Sequence, residues 1–120
     1  MILPRKKNAI GWSSLVYDDN AEEFQDYKLK TIEWILIEGK QTLGPIPCHQ
    51  GSCMLVPISG LATLTQLHAH SLPSTSTLDG RYPNVIRVKK GDAFEIFNHC
   101  QDDMMILLFK NWDETKGDKR

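Results

Sequence analysis

Short alternations of hydrophobic and polar residues recur along most of the chain, whereas the longer repeat of an amphipathic helix is scarce. The strongest apolar segments are rich in β-branched and aromatic residues and stop at Gly, Asp or Ser, where a chain turns readily. Six strands are therefore predicted, at residues 31–37, 53–58, 61–70, 85–88, 93–97 and 104–109. Turn signals about ten residues apart are typical of a β-sandwich or a β-barrel.

Two segments between these strands differ from the alternating pattern. Residues 71–83, SLPSTSTLDGRYP, are rich in Ser, Thr, Pro and Gly and predict a long exposed loop. Residues 18–30 carry the clearest helix signal, with Asn20 as N-cap and acidic residues in the first turn. Their apolar stripe is thin, so about one helical turn is predicted there.

Charge and cysteine usage exclude several classes of partner. The formal net charge is −1, and such a chain offers no field that would attract nucleic acid or an anionic membrane, so neither is expected as a partner. The chain has no apolar run of signal-peptide or membrane-span length. Its three cysteines are an odd number, which favours free thiols in a reducing compartment. We therefore expect a cytoplasmic protein.

The most informative segment is VKKGDAFEI, residues 88–96, followed by the polar turn NHCQDD and the apolar run MMILLF. Gly91 permits the positive φ of a tight turn, Asp92 can hydrogen-bond the turn backbone, and Phe94 and Ile96 alternate toward one face. Together with the earlier EGK turn, the Gly-Pro loop with a histidine and MLVPISG, this order of segments resembles the cupin superfamily. The resemblance implies an all-β, single-domain jelly-roll barrel, or double-stranded β-helix, with little helix.

The resemblance also divides the chain into three parts. Residues 1–30 are expected to form an N-terminal strand and a connecting segment that packs on the barrel or on a partner. Residues 31–110 are expected to form the cupin-like barrel, and residues 111–120 an exposed polar tail. Cupins commonly dimerise, so a homodimer is expected.

The chain departs from the metal-binding motifs of cupins, which usually supply three histidines and a glutamate. Only His49 keeps a ligand at its expected position, while Cys53 and Asp102 stand where a glutamate and a histidine are expected, and His99 lies three residues early. If a metal is bound, the resemblance implies these four residues as its ligands, since imidazole, thiolate and carboxylate all bind zinc or iron. Loss of three ligands in four favours a site without metal, and the cofactor is left open.

Two further groups of residues are candidate sites. His68 and His70 alternate on one face of a predicted strand and make half of a metal site, although an exposed histidine pair is the favoured interpretation. Cys48 and Cys53 are too far apart in sequence for a Cys-x-x-Cys motif, and inert buried cysteine is favoured for them. The motifs of dinucleotide-binding, P-loop, zinc protease and serine hydrolase sites are absent from the sequence.

Function is expected at the mouth of the barrel, where a small molecule with polar and apolar parts would bind. The residues expected to line this mouth are Trp34, His49, Cys53, His99, Asp102 and Met104. The resemblance includes sugar-nucleotide isomerases and epimerases that use histidine without a metal, which implies His49 as the base of an isomerase- or lyase-type enzyme.

The alternative is a non-catalytic cupin that serves dimerisation or assembly, with residues 11–17 pairing with a partner's sheet edge. An open barrel with His49 inside would favour the enzyme. A filled barrel with His49 outside would favour the assembly domain, so the sequence alone leaves open whether the protein is an enzyme.

Overall fold

The computed structural model describes residues 5–8, 11–17, 27–82 and 84–112. Within these residues the chain forms strands and no helix. The strands are β1 (Lys6–Asn8), β2 (Gly11–Ser13), β3 (Thr31–Ile37), β4 (Thr42–Pro47), β5 (Cys53–Pro57), β6 (Leu61–Leu67), β7 (Ser74–Asp79), β8 (Ile86–Val88), β9 (Ala93–Asn98) and β10 (Met104–Lys110).

Eight of the strands form two four-stranded antiparallel sheets that face each other. The first sheet has the order β3-β10-β5-β8 and the second the order β4-β9-β6-β7, while β1 and β2 form a separate hairpin. Because the chain crosses between the two sheets at nearly every turn, the strands wind into a jelly roll. The predicted all-β jelly-roll fold is confirmed.

Apolar side chains fill the space between the two sheets. Phe94 and Ile96 on β9 are completely buried there, as their alternation predicts. The turn before β9 also forms as predicted, because Gly91 adopts a φ of 96° in the left-handed region. The other buried members of this core are Ile37, Cys48, Cys53, Leu55, Ala62, Leu64, Leu78, Val88, Met104, Ile106, Leu108 and Trp112.

A second apolar cluster lies on the outer face of the first sheet. Here the N-terminal strap, residues 14–17 and 27–30, packs against β5 and β10. The buried members of this cluster are Tyr27, Met54, Val56, Val85 and Phe109, with Val16, Tyr17, Leu29 and Leu107 partly buried beside them. As a result every residue of β5 is buried, on both faces of the sheet.

Two strands of the second sheet were not predicted. β7 lies inside residues 71–83, where a loop was predicted, because an edge strand needs only one apolar residue on its inner face, Leu78, and keeps its other side chains in water. β4 contains Pro45 and Pro47, which a central strand would not tolerate. β4 is the opposite edge strand, and its register shifts at a bulge between Leu43 and Ile46.

The ends of the chain also differ from expectation. Trp112, predicted in an exposed tail, is 7% exposed and belongs to the core. Asn111 beside it bonds to Ser52, so both residues belong to the barrel. Residues 113–120 and most of the predicted helical turn, 18–26, lie outside the described residues. In the described part of the chain no helix could cross a lipid bilayer.

Candidate functional site

The predicted site residues lie at two opposite ends of the barrel. The turn end holds residues 38–41, 58–60 and 99–103, joined by the bond that the backbone N–H of Lys40 donates to Cys100 O at 3.0 Å. The loop end holds residues 48–52, 68–73 and 89–92, where Cys48 N–H donates to Asp92 O at 2.9 Å. β4 and β9 run between the two ends, and six residues of strand span about 20 Å.

About this distance separates two of the four residues considered for a metal site, His49 and Cys53, from the other two, His99 and Asp102. His49 is exposed at the loop end, whereas His99 and Asp102 are exposed at the turn end. Cys53 begins β5 at the loop end and Met104 begins β10 at the turn end, both buried inside the barrel. The expected mouth lined by all of them does not form, because antiparallel strands carry the motifs to different ends. A ligand-binding or catalytic role for any one of them stays a prediction.

His99 turns away from the barrel interior. Its Nε2 lies 2.6 Å from Thr63 Oγ1, and its ring meets the Phe97 ring edge-on with centroids 4.9 Å apart. Thr63 and Phe97 are register partners on adjacent strands of the second sheet, and their buried neighbours Leu64 and Ile96 face the core. The imidazole therefore packs on the outer surface of this sheet and does not point into the barrel. The NHCQDD turn connects β9 to β10.

Cys48 and Cys53 meet in the core although they belong to no common sequence motif. Their sulfur atoms are 3.8 Å apart, and both side chains are completely buried. The contact with Cys48, together with burial, raises the pKa of the Cys53 thiol. A protonated, buried thiol is a poor nucleophile and a poor metal ligand, which fits the inert role predicted for Cys53. The hydrogen bond with Cys53 lowers the pKa of the Cys48 thiol, and for Cys48 the inert role is supported by its complete burial.

His68 is fixed in place by a hydrogen-bond network at the loop end. Its Nδ1 donates to Asp92 Oδ2 at 2.9 Å, and its Nε2 lies 2.8 Å from Ser74 Oγ. Asp92 Oδ1 also accepts from Ala69 N at 3.3 Å, and the hydrogen bond with His68 lowers the pKa of the Asp92 carboxyl. The Asp92 side chain was predicted to hydrogen-bond the backbone of its own turn. In the structure it bonds instead to His68 and Ala69, in the loop 68–73. Among the described residues no group of three His, Cys, Asp or Glu side chains is placed to hold a metal ion.

The barrel interior offers little chemistry. Among the described side chains, the buried polar ones are Ser52, Asn98 and Lys110, and all three lie at an end of the barrel. Between them the core is apolar. The barrel is therefore filled by apolar side chains, and His49 lies outside it.

An apolar surface lies instead on the outer face of β3. Ile32, Trp34 and Leu36 are exposed by 56%, 69% and 53%, at alternate positions of this edge strand. Their register partners on β10 are Phe109, Leu107 and Met105. Ile32, Trp34 and Leu36 with Leu107 and Met105 are called the β3 patch below. Trp34, expected in the barrel mouth, lies on the outer face because Ile35 and Ile37 occupy the inner one.

The sequence contained one signal for the β3 patch. TIEWILI is apolar on both faces, with Ile32, Trp34 and Leu36 on one and Ile35 and Ile37 on the other. A continuous apolar run is typical of a strand that is buried on both faces of its sheet. The prediction of a core strand accounts for only one of these two apolar faces.

The chain is similar to known proteins in structure. No protein-family model matches the chain, and no curated protein matches it significantly in sequence. The 3'-monoepimerase ChmJ of Streptomyces bikiniensis, in complex with dTDP, superposes with a TM-score of 0.80 over 95% of this chain and 64% of its own, at 10% identity. The Drosophila melanogaster CENP-C cumin domain gives 0.60 over 65% and 56%, at 13% identity.

The Staphylococcus aureus capsular polysaccharide assembling protein CapF gives a TM-score of 0.65 over 97% of this chain and 33% of its own, at 15% identity. The chain spans less than two thirds of the length of each of these three structures. At identities this low the superpositions show a shared fold and do not identify a shared function. The chain therefore has the cupin-like jelly-roll fold that these structures share.

Proposed function

We propose that this domain is a non-catalytic cupin-like module that self-associates, with two copies packing through the β3 patch. The observation that carries the proposal is the exposure of Ile32, Trp34 and Leu36 in a row, on a domain whose interior is already filled. Contiguous exposed apolar side chains on a soluble domain mark interaction surfaces. Tryptophan at the centre of such a surface is the residue type that contributes most to binding energy.

A second copy of this chain is the partner that the patch fits best. The five members of the patch carry no charge, so the same surface on another copy meets no like charge across a two-fold axis. The formal net charge of −1 also gives little repulsion between copies. β3 is an edge strand of the described sheet, so its side away from β10 is also open to a neighbouring molecule.

The site predicted around His49 has less support. His49 is exposed in a loop, and none of its predicted partners at the turn end lies near it. Similarity to an epimerase at 10% identity supports a shared fold alone.

Pairing of residues 11–17 with a partner is also less favoured, because β2 pairs with β1 and Val16 and Tyr17 pack on the same chain. A cytoplasmic location suits the free thiols of the chain.

The test is the oligomeric state of matched variants, measured by sedimentation equilibrium over a range of protein concentrations. Wild-type protein is expected to be a dimer. Trp34→Lys should weaken the dimer by at least about 30-fold, as expected for a hot-spot side chain replaced by a charge. The control is Leu72→Lys, which places the same charge on an 85% exposed loop residue and should leave the dimer intact.

Circular dichroism and thermal unfolding test whether both variants are folded. Both should fold, because Trp34 and Leu72 are exposed and a lysine at either position leaves the core unchanged. A monomeric wild-type protein at all concentrations would contradict the proposal. So would a Trp34→Lys variant that dimerises as tightly as Leu72→Lys.

A further inference from the structure

A cavity of about 620 Å³ opens at the loop end of the barrel, outside the core. Its walls come from the N-terminal strap, the loop before β5, strand β8 and the turn that follows β8. β8 is the edge of the first sheet opposite to β3, so this cavity is separate from the β3 patch. It is called the basic cavity below.

Four cationic side chains line the basic cavity, Lys28, Arg87, Lys89 and Lys90, and no carboxylate of the described residues does. The chain as a whole has 14 Lys and Arg against 15 Asp and Glu, so a general excess of basic residues does not explain the cluster. The salt bridges found in the described part of the chain involve none of the four. Asp92 lies outside this lining but near enough to Lys89 for that charge to help lower its pKa. The four cations still repel one another, and an anion bound among them reduces that repulsion.

Arg87 is held in position before any ligand arrives. Its guanidinium lies over the Tyr27 ring, 5.2 Å from the centroid, and its Nη2 is 3.5 Å from Ser52 Oγ. The Tyr27 hydroxyl bonds to the carbonyl oxygens of Phe109 and Ser52, which fixes the ring beneath Arg87. Burial raises the pKa of Tyr27, so the phenol stays neutral and the cationic charge of Arg87 is not cancelled.

Ser52 and Asn111 add neutral hydrogen-bonding groups to the wall. Asn111 Oδ1 accepts from the Ser52 backbone N–H at 3.0 Å, and Asn111 Nδ2 donates to Ser52 Oγ at 3.1 Å. Because Ser52 Oγ already accepts this bond, its hydroxyl hydrogen can be donated to a ligand. A hydroxyl donor beside a planar guanidinium fork suits a phosphate or carboxylate oxygen.

We propose that the basic cavity binds a small, multiply charged anion of the phosphate class. The volume falls within the range of small-molecule sites. Four cations match a ligand with several negative charges better than a single carboxylate, and the Arg87 fork is suited to two oxygens of one phosphate group. This site goes beyond the self-association proposed above and does not depend on it.

The experiment is titration calorimetry of the full chain with inorganic tripolyphosphate. One site per chain is expected. The double variant Lys89→Ala/Lys90→Ala removes two exposed lysines of the cavity and should weaken binding by at least about tenfold. The matched control is Lys6→Ala/Lys7→Ala, an adjacent and exposed lysine pair on β1 outside the cavity, which should weaken binding by less than about twofold.

Absence of binding to wild-type protein would overturn the proposal. Equal weakening in the two double variants would overturn it as well, because binding would then follow net charge alone. A single-stranded oligonucleotide that bound more tightly than tripolyphosphate and depended on Lys89 and Lys90 would exclude the small-ligand class. The monomeric Trp34→Lys variant should keep the tripolyphosphate site, so failure of one proposal leaves the other testable.

Discussion

The side-chain amide of Asn98 donates a hydrogen bond to the backbone carbonyl of Asp102 at 2.9 Å, across the turn that Asn98 itself begins. The same amide donates to the carbonyls of Ile37 at 2.9 Å and Glu38 at 3.2 Å, and Asn98 Oδ1 accepts from Cys100 N at 2.9 Å. Asn98 is completely buried. One side chain therefore joins the β3–β4 turn to the β9–β10 turn, which closes the turn end of the barrel.

Replacing Asn98 with Leu should lower the free energy of unfolding by about 3 kcal/mol, because buried carbonyls lose their donor and the lost bonds are not replaced. Urea unfolding measures the change. His99→Ala, one residue away and exposed, is the control and should cost less than about 1 kcal/mol. Similar losses in both variants would show that the Asn98 network does not hold the turn.

Sequence patterns predicted the strands that place apolar residues on the inner face, whether the outer face is mixed, as in β9, or apolar, as in β5 and β10. Phe94 and Ile96 alternate with Glu95 and Phe97, and the period of a strand alone sends them inward. β7 was not predicted because this edge strand fully buries one side chain, Leu78, and its other residues have the composition of a loop.

The candidate site depended on information that local patterns do not contain. Whether His49 and His99 meet is decided by the opposite directions of β4 and β9, which end just before His49 and His99 respectively. The contact between Cys48 and Cys53 arises across a loop, where no periodicity applies. Charges of the basic cavity come from separate segments, so only the folded chain reveals that Lys28 and Arg87 share a wall.

Tyr27 should make stability depend on pH in the alkaline range. Burial raises its pKa, so the unfolded chain loses the phenolic proton first, near a pH of about 10, while the folded chain still holds it. The stabilisation is therefore complete below that pH and is lost as the pH rises through the folded value. Stability of wild-type protein, measured by urea unfolding, should fall steeply above pH 10.

The Tyr27→Phe variant should be less stable at neutral pH by about 1–2 kcal/mol, since the hydroxyl bonds to two carbonyl oxygens, and it should show a shallower alkaline decline. Tyr82→Phe alters an exposed tyrosine and should keep the wild-type decline. An alkaline profile for Tyr27→Phe as steep as that of the wild type would contradict the assignment.

Asp92 should make a contribution that is lost in acid. Its lowered pKa means that the folded chain holds the carboxylate to lower pH than the unfolded chain does. The stabilisation is therefore present above the ordinary range of a carboxyl and is lost as the pH falls through the lowered value. In thermal melts, the difference between wild-type protein and Asp92→Asn should be clear at neutral pH and should vanish in strong acid.

Asp102→Asn provides the matched control for Asp92, because the Asp102 side chain is exposed and bonds only through its backbone carbonyl among the described residues. It should melt like wild-type protein at every pH. A difference between Asp92→Asn and wild type that persisted unchanged into strong acid would show that the carboxylate charge is not what matters.

The three cysteines should react with a thiol reagent at two very different rates. Cys48 and Cys53 are completely buried, so a thiol reagent cannot reach either sulfur atom in the closed barrel. Cys100 is half-buried in the β9–β10 turn and needs no unfolding to react. Native protein should therefore show one fast thiol per chain, and the other two should react only at the rate of opening of the barrel. Cys100→Ser should remove the fast phase alone; a fast phase of three thiols, or one that survives in Cys100→Ser, would mean that the sulfur pair is not enclosed.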